Sequence, residues 1–218
     1  MKRKYEICKM QILVIAATEL EIKPFIETAS ATDVLITGVG VPAVLYHLQK
    51  RMQQIDYDLI IQAGIAGTFN NVAKPGEVVF VKQDTFGDIG MEEKENFVSI
   101  FESGLADKNE FPFNAGWLMN TQGIKMQLNM QAVKAITVNK VSDSELQKQQ
   151  FINQFNADIE SMEGAALHYV CLQENMPFIQ LRSISNIVGE RNRDKWIMKE
   201  AIENLNIQLQ QLIKNLNG

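Results

Sequence analysis

The chain of 218 residues is poor in cysteine, histidine and proline, with two, two and five of each, and it has no long apolar run. Cys8 and Cys171 are too few for a disulfide framework or a thiolate metal cluster, which points to a reducing cytoplasm. His47 and His168 each fall in a helical pattern with no second ligand at metal spacing. Both read as structural, and no metal or organic cofactor is expected. No stretch reaches the ~18 apolar residues of a membrane span, so no membrane partner is expected. The start, Met1-Lys2-Arg3-Lys4, has the charge of a signal n-region, but the apolar run Ile12 to Ala17 is short and reads as a strand. Secretion is therefore not expected. Residues 1–9 read as a polar, unstructured tail ahead of Met10, with the domain spanning 10–218. An excess of positive charge is also missing. A formal net charge of −5 argues against a nucleic-acid partner and leaves a small molecule as the expected one.

What is present suits one globular domain. Hydrophobic residues make up 46% and charged residues 22%, and a chain of this length buries roughly 70% of its unfolded surface on folding. Apolar runs at Gln11 to Ala17, Asp33 to Thr37, Leu59 to Ala63, Glu77 to Val81, Val133 to Val138, Asp158 to Met162 and Phe178 to Ser183 read as strands. Helical spacing of apolar residues marks Pro42 to Gln54, Glu163 to Glu174 and Asp194 to Leu216. This alternation predicts an α/β fold: three layers, α/β/α, around a central mixed, largely parallel sheet. Gln83 to Gln122 breaks the pattern with glycines, aromatics and acids, and a loop-rich stretch of that length is expected to frame a site.

Polar and glycine-rich segments follow the predicted strands in order: Ala16-Ala17-Thr18-Glu19-Leu20-Glu21, Gly38-Val39-Gly40, Ala63-Gly64-Ile65-Ala66-Gly67, Ser161-Met162-Glu163-Gly164 and Ser185-Asn186. Carboxyl ends of strands are where open α/β sheets bind ligands. With these segments, Met10 to Leu212 resembles the nucleoside phosphorylase and nucleosidase superfamily. Gly87-Asp88-Ile89-Gly90 and Gly189 to Trp196 resemble its futalosine-hydrolase branch, an activity of menaquinone biosynthesis. The resemblance implies a nucleoside phosphorylase-like fold, a homo-oligomer, and hydrolysis of a purine nucleoside with release of hypoxanthine. A methylthioadenosine/adenosylhomocysteine nucleosidase, or a nucleoside-binding relative without turnover, are the alternatives.

Breaking a purine–ribose bond passes through an oxocarbenium-like sugar, which calls for negative charge at the ribose and hydrogen bonds at the departing base. The resemblance assigns Glu163 to the ribose hydroxyls, with Met162 as an apolar wall beside it and Ile65 and Ala66 as further substrate contacts. A plain first-turn glutamate complementing a helix dipole is the competing reading of Glu163. Asn186, next to Ser185, is assigned to the base. An amide can donate to the 6-oxo group of hypoxanthine and accept from the protonated ring nitrogen, whereas a carboxyl group suits adenine. Such a mismatch discriminates by up to ~10⁴–10⁵-fold. The competing reading is an asparagine that turns the chain after a strand.

Glu21 aligns with the family's water-activating glutamate, with Glu19 as the alternative, and either could be a helix-start anion instead. Phosphorylases of the superfamily carry an arginine and a hydroxyl residue where this chain has Gln62 and Ile65, so water is the expected acceptor. For the futalosine tail, Arg191, Arg193 and Trp196 form one candidate set, and Phe86, Phe111, Phe113 and Trp117 another. A solvated charge cluster and core packing are their respective alternatives. The residue stacking on the base, sought around Asn139 to Asp143, stays unassigned.

Overall fold

The computed structural model describes residues 10–28, 32–70, 72–94, 96–121, 128–141, 144–190 and 192–217. The expected tail at 1–9 lies outside them. The first strand, β1 (Ile12–Ala16), is buried at every position. Its alternate residues feed two cores, as the period of two requires. Ile12 and Val14 pack with Phe25 of α1 (Glu19–Thr28) and with Leu205, Leu209 and Leu212 of α5 (Met198–Asn217). Leu13 and Ile15 pack with Val44 and Leu48 of α2 (Val41–Met52) and with Leu167, Val170 and Cys171 of α4 (Gly164–Gln173). The sheet is therefore covered on both faces.

The remaining strands are β2 (Asp33–Ile36), β3 (Leu59–Thr68), β4 (Val78–Phe86), β7 (Leu118–Met119), β8 (Gln131–Thr137), β9 (Ile159–Ser161) and β10 (Phe178–Ile187), with β5 (Gly90–Glu93) and β6 (Asn96–Ser99) forming a separate hairpin. Parallel pairings join β1 to β2 and β3, β3 to β10, and β8 to β4 and β9. Antiparallel pairings join β10 to β4, β3 to β9 and β4 to β7. Because β3 touches both β10 and β9, the strands β3, β10, β4, β8 and β9 close into a ring. One-dimensional periodicity carries no sign of that closure.

Two strands run further than their sequences suggest. Expected to stop at Ala63 and Ser183, β3 and β10 continue to Thr68 and Ile187. The glycines taken as an elbow serve close approach instead. A Cβ at Gly64 would overlap the Arg182 guanidinium, and one at Gly67 would sit 2.9 Å from Val188 and 3.3 Å from the Asn186 amide nitrogen. The pairing of β10 with β3 slips between Ile184 and Asn186, which makes Ser185 a bulge.

Helices differ in smaller ways. Helix α1 holds Pro24 inside and breaks at Ile22 (φ −127°, ψ 17°), since proline cannot supply an interior N–H. The final helix begins at Met198, after a 3-10 turn at Arg193–Lys195. The sequence reading did not single out α3 (Glu145–Phe155), in which only Phe151 is buried. Its caps were the available signal: Ser144 accepts from the Gln147 N–H, and Asn156 ends the helix at φ 45°.

Candidate functional site

Glu21, Ile65, Ala66, Met162, Glu163, Ser185 and Asn186 come from four different segments and line one cavity of about 290 Å³. A larger hollow of about 600 Å³, bounded by Lys74, Glu77, Asn129 and Asn204, holds none of them. The smaller cavity sits where the ends of β1, β3, β9 and β10 meet, at the closure of the ring.

At the start of α1, Glu21 is buried and Glu19 is exposed. Oε2 of Glu21 accepts from both the N–H and the hydroxyl of Thr18 at 3.0 Å, the return bond of a capping box. Its Oε1 accepts from the Ile65 N–H at 3.1 Å. One carboxylate thus caps a helix, as the helix-start reading expected, ties it to β3 and lines the cavity.

Across the cavity, Glu163 stands between β9 and α4 and is 5% exposed. Its Oε1 accepts from the Gly40 N–H at 3.1 Å, at a backbone (φ 89°) that favours glycine. Its Oε2 lies 3.6 Å from Arg182 Nη1. Burial pushes the Glu163 carboxyl above the usual carboxylate range; Arg182 and the Gly40 N–H pull it back, and the Glu21 carboxylate adds to the rise.

The bulge at Ser185 gives the pair Ser185 and Asn186 its geometry. Neighbours in a regular strand face opposite ways, yet Ser185 and Asn186 both line the cavity. The Ser185 hydroxyl donates to Asn186 Oδ1 at 2.8 Å, with Ala66 O as a second acceptor at 3.2 Å. Asn186 Nδ2 donates to Ile187 O at 3.1 Å. One N–H and one oxygen lone pair of the amide remain for a ligand. Asn186 is an element of β10, not the turn after it.

Two buried charged residues were not singled out from sequence. Arg182 is 1% exposed, fills the space left by Gly64, and donates from Nη2 to Gln62 Oε1 at 3.0 Å. Glu160, 4% exposed, is a further carboxylate in the cavity lining. Each interrupts an apolar strand, and a charge in such a place needs a partner, which is the signal that could have found them. Gln62, at the position of the phosphorylase arginine, has its amide oxygen engaged by Arg182.

Of the two sets considered for a substrate tail, Trp196 lines the cavity and donates from Nε1 to Glu190 O at 3.0 Å. Arg191 and the side chain of Arg193 lie outside what the structure describes. The aromatic set packs elsewhere. Phe86 and Phe113 cluster with Phe101 and Tyr169, Trp117 meets Phe155, and Phe111 is 66% exposed. Gln83 to Gln122 accordingly contributes a hairpin, a short strand and this cluster, and none of its described residues lines the cavity. Val141 lines it from the stretch searched for a stacking group. His168 is fully buried away from it, with Nδ1 2.9 Å from Leu118 O, and burial pushes its imidazole down to about 4. Among the described residues no three His, Cys, Asp or Glu side chains gather to hold a metal.

A futalosine hydrolase of Thermus thermophilus is 25% identical over 187 residues, 84% of this chain and 82% of the relative. A 5'-methylthioadenosine/S-adenosylhomocysteine nucleosidase of Colwellia psychrerythraea is also 25% identical, over 201 residues, 86% of this chain and 79% of the relative. The native structure of futalosine hydrolase from Helicobacter pylori superposes with a TM-score of 0.76 at 16% identity, covering 94% of this chain and 98% of that one, and shares the fold. Among the described residues no helix is long and apolar enough to cross a membrane. Residues 11–216 match the phosphorylase superfamily, and the chain belongs to it.

Proposed function

We propose that the protein is an N-glycosyl hydrolase that cleaves futalosine with water to give hypoxanthine and dehypoxanthine futalosine, in menaquinone biosynthesis. The observation that carries this reading is the Asn186 amide, held by Ser185 on the cavity wall with one N–H and one lone pair unspent. Overall similarity does not choose the base, since relatives of both names are 25% identical. The amide does, because it can donate to the 6-oxo group and accept from the protonated ring nitrogen of hypoxanthine, and it has no proton to hand to the ring nitrogen of a departing adenine as a carboxyl group would.

In this reading Glu21 orients the attacking water and takes its proton, while Glu163 binds the ribose hydroxyls and stabilises the positive charge that develops on the sugar. Gln62 and Ile65 leave phosphate without a guanidinium or hydroxyl grip, which supports water as the acceptor. Ile65, Ala66 and Met162 form the apolar wall, and Arg191 and Arg193 are assigned to the tail. The exposed apolar side chains Leu20, Val39 and Val141 around the cavity support a homo-oligomer, and the free buried thiol of Cys171 suits a reducing cytoplasm.

The test is release of free base from futalosine, inosine, methylthioadenosine and adenosylhomocysteine, each with and without phosphate, read by chromatography. Hypoxanthine from futalosine at a rate indifferent to phosphate is expected. Preferential release of adenine, or a requirement for phosphate, overturns the reading.

A further inference from the structure

Behind the wall of the cavity lies a second set of buried polar groups that the mechanism above does not use. Asp84 of β4 has no exposed surface. Its Oδ1 accepts from the Thr137 hydroxyl at 3.0 Å, and its Oδ2 accepts from Gln180 Nε2 at 3.2 Å. The Thr137 oxygen in turn accepts from the Ala165 N–H at 2.7 Å, one of the first-turn donors of α4 that the helix itself leaves unpaired. A Cβ at Gly164 would overlap both Asp84 Oδ2 and Gln180 Nε2. The two residues that follow Glu163 are therefore seated on this network, one by contact and one by hydrogen bond.

We propose that Asp84 is a positioning residue for Glu163: through Thr137 and Gln180 it fixes the strand-to-helix junction from which Glu163 reaches the ribose. The inference rests on the functional reading given for Glu163. A carboxylate buried at this depth is costly, and burial pushes its carboxyl up to about 6 against the pull of Thr137, Arg182 and Gln180. An apolar residue would fill the space without that cost, but it would leave the Thr137 hydroxyl and the Gln180 amide without their acceptor, and so free the oxygen on which the α4 terminus is seated to rotate. Asparagine can replace the carboxylate. Its oxygen accepts from Thr137, and its NH₂ meets Gln180 once that amide turns its oxygen, which has no partner in the present arrangement, toward position 84.

The experiment compares wild type, Asp84→Leu, Asp84→Asn and Thr137→Val with two readouts. The first is amide hydrogen exchange over residues 162–168 relative to the rest of the chain. The second is the ratio of kcat/KM for inosine over 2′-deoxyinosine, which senses the grip on the 2′-hydroxyl and does not depend on the fraction of enzyme folded. Asp84→Leu and Thr137→Val are expected to speed exchange selectively at the junction and to lower the ratio about 10-fold, the scale of one lost hydrogen bond. Asp84→Asn is expected to stay within about 3-fold of wild type. Unchanged exchange at 162–168 in Asp84→Leu, or faster exchange with the ratio intact, overturns the proposal. A wild type that releases no base from futalosine or from either of these nucleosides counts against the functional reading alone, and the exchange pattern then decides the positioning.

Discussion

Two buried polar clusters stand on either side of the β9–α4 junction, and they differ in how their hydrogen-bonding capacity is spent. Around Glu21, Glu163, Ser185 and Asn186 the protein leaves donors and acceptors open to a cavity. Around Asp84, Thr137 and Gln180 the bonds are directed at other buried groups and at the first turn of a helix. The contrast separates groups kept available for a ligand from groups consumed in holding them. A buried acid is therefore informative about chemistry only together with the space it faces.

The largest effects should come from the open cluster. Glu163→Ala and Glu21→Gln are each expected to lower turnover of futalosine at least ~100-fold, measured as initial rates on protein whose folding is confirmed by circular dichroism. Near-wild-type rates in either variant would remove that residue from its role. Asn186→Asp should keep more activity while moving the preference between 6-oxo and 6-amino purine nucleosides by ~100-fold or more toward adenine. An unchanged preference would break the argument from the amide.

Gly64→Ala tests the boundary between the clusters, because its methyl group meets the Arg182 guanidinium. A loss of roughly 1–3 kcal/mol is expected, the cost of overpacking a closed core, read as a lower midpoint in urea. A neutral result would mean that Arg182 is free to move.

The smallest effect is a cancellation between two buried groups, Asp84 and His168. Asp84 rises to about 6 in the fold from 3.8, so its contribution is lost as pH climbs from about 4 to about 6. His168 falls to about 4 from 6.5, so its contribution is present above 6.5 and is lost as pH drops toward 4. Over the shared window the two slopes oppose. Asp84→Asn should unmask the His168 slope, with stability rising between pH 4.5 and 6.5, and His168→Gln the reverse. Urea midpoints at the two pH values check both signs, and parallel slopes in the two variants would refute the pairing.

Much of the architecture could be read from the chain, because strands buried on both faces must be continuous apolar runs and their alternate residues must feed two cores. Ile12 to Ala16 and Phe178 to Ser183 show this plainly. The candidate site residues were legible through the resemblance that glycine, serine and acidic residues at strand ends carry, and the structure brings those it describes to one cavity. What escaped depends on contacts between distant segments. The extension of β3 through Gly64 and Gly67 is explained only by Arg182 and Asn186 pressing against it. The closure of the ring requires β3 to have neighbours that no local pattern announces. With one buried side chain, α3 offered little periodicity, and its Ser144 cap was the stronger sign.

The extra residue at Ser185 carries a lesson about how such a pocket can change. Removing it would make Ile184 and position 186 consecutive partners of Ala66 and Gly67 in regular alternation, with position 186 still on its present face and the Ser185 hydroxyl gone from its amide oxygen. On the reading proposed for Asn186, selectivity for the nucleobase thus has two settings, the chemical nature of that side chain and the added residue that occupies one of its lone pairs.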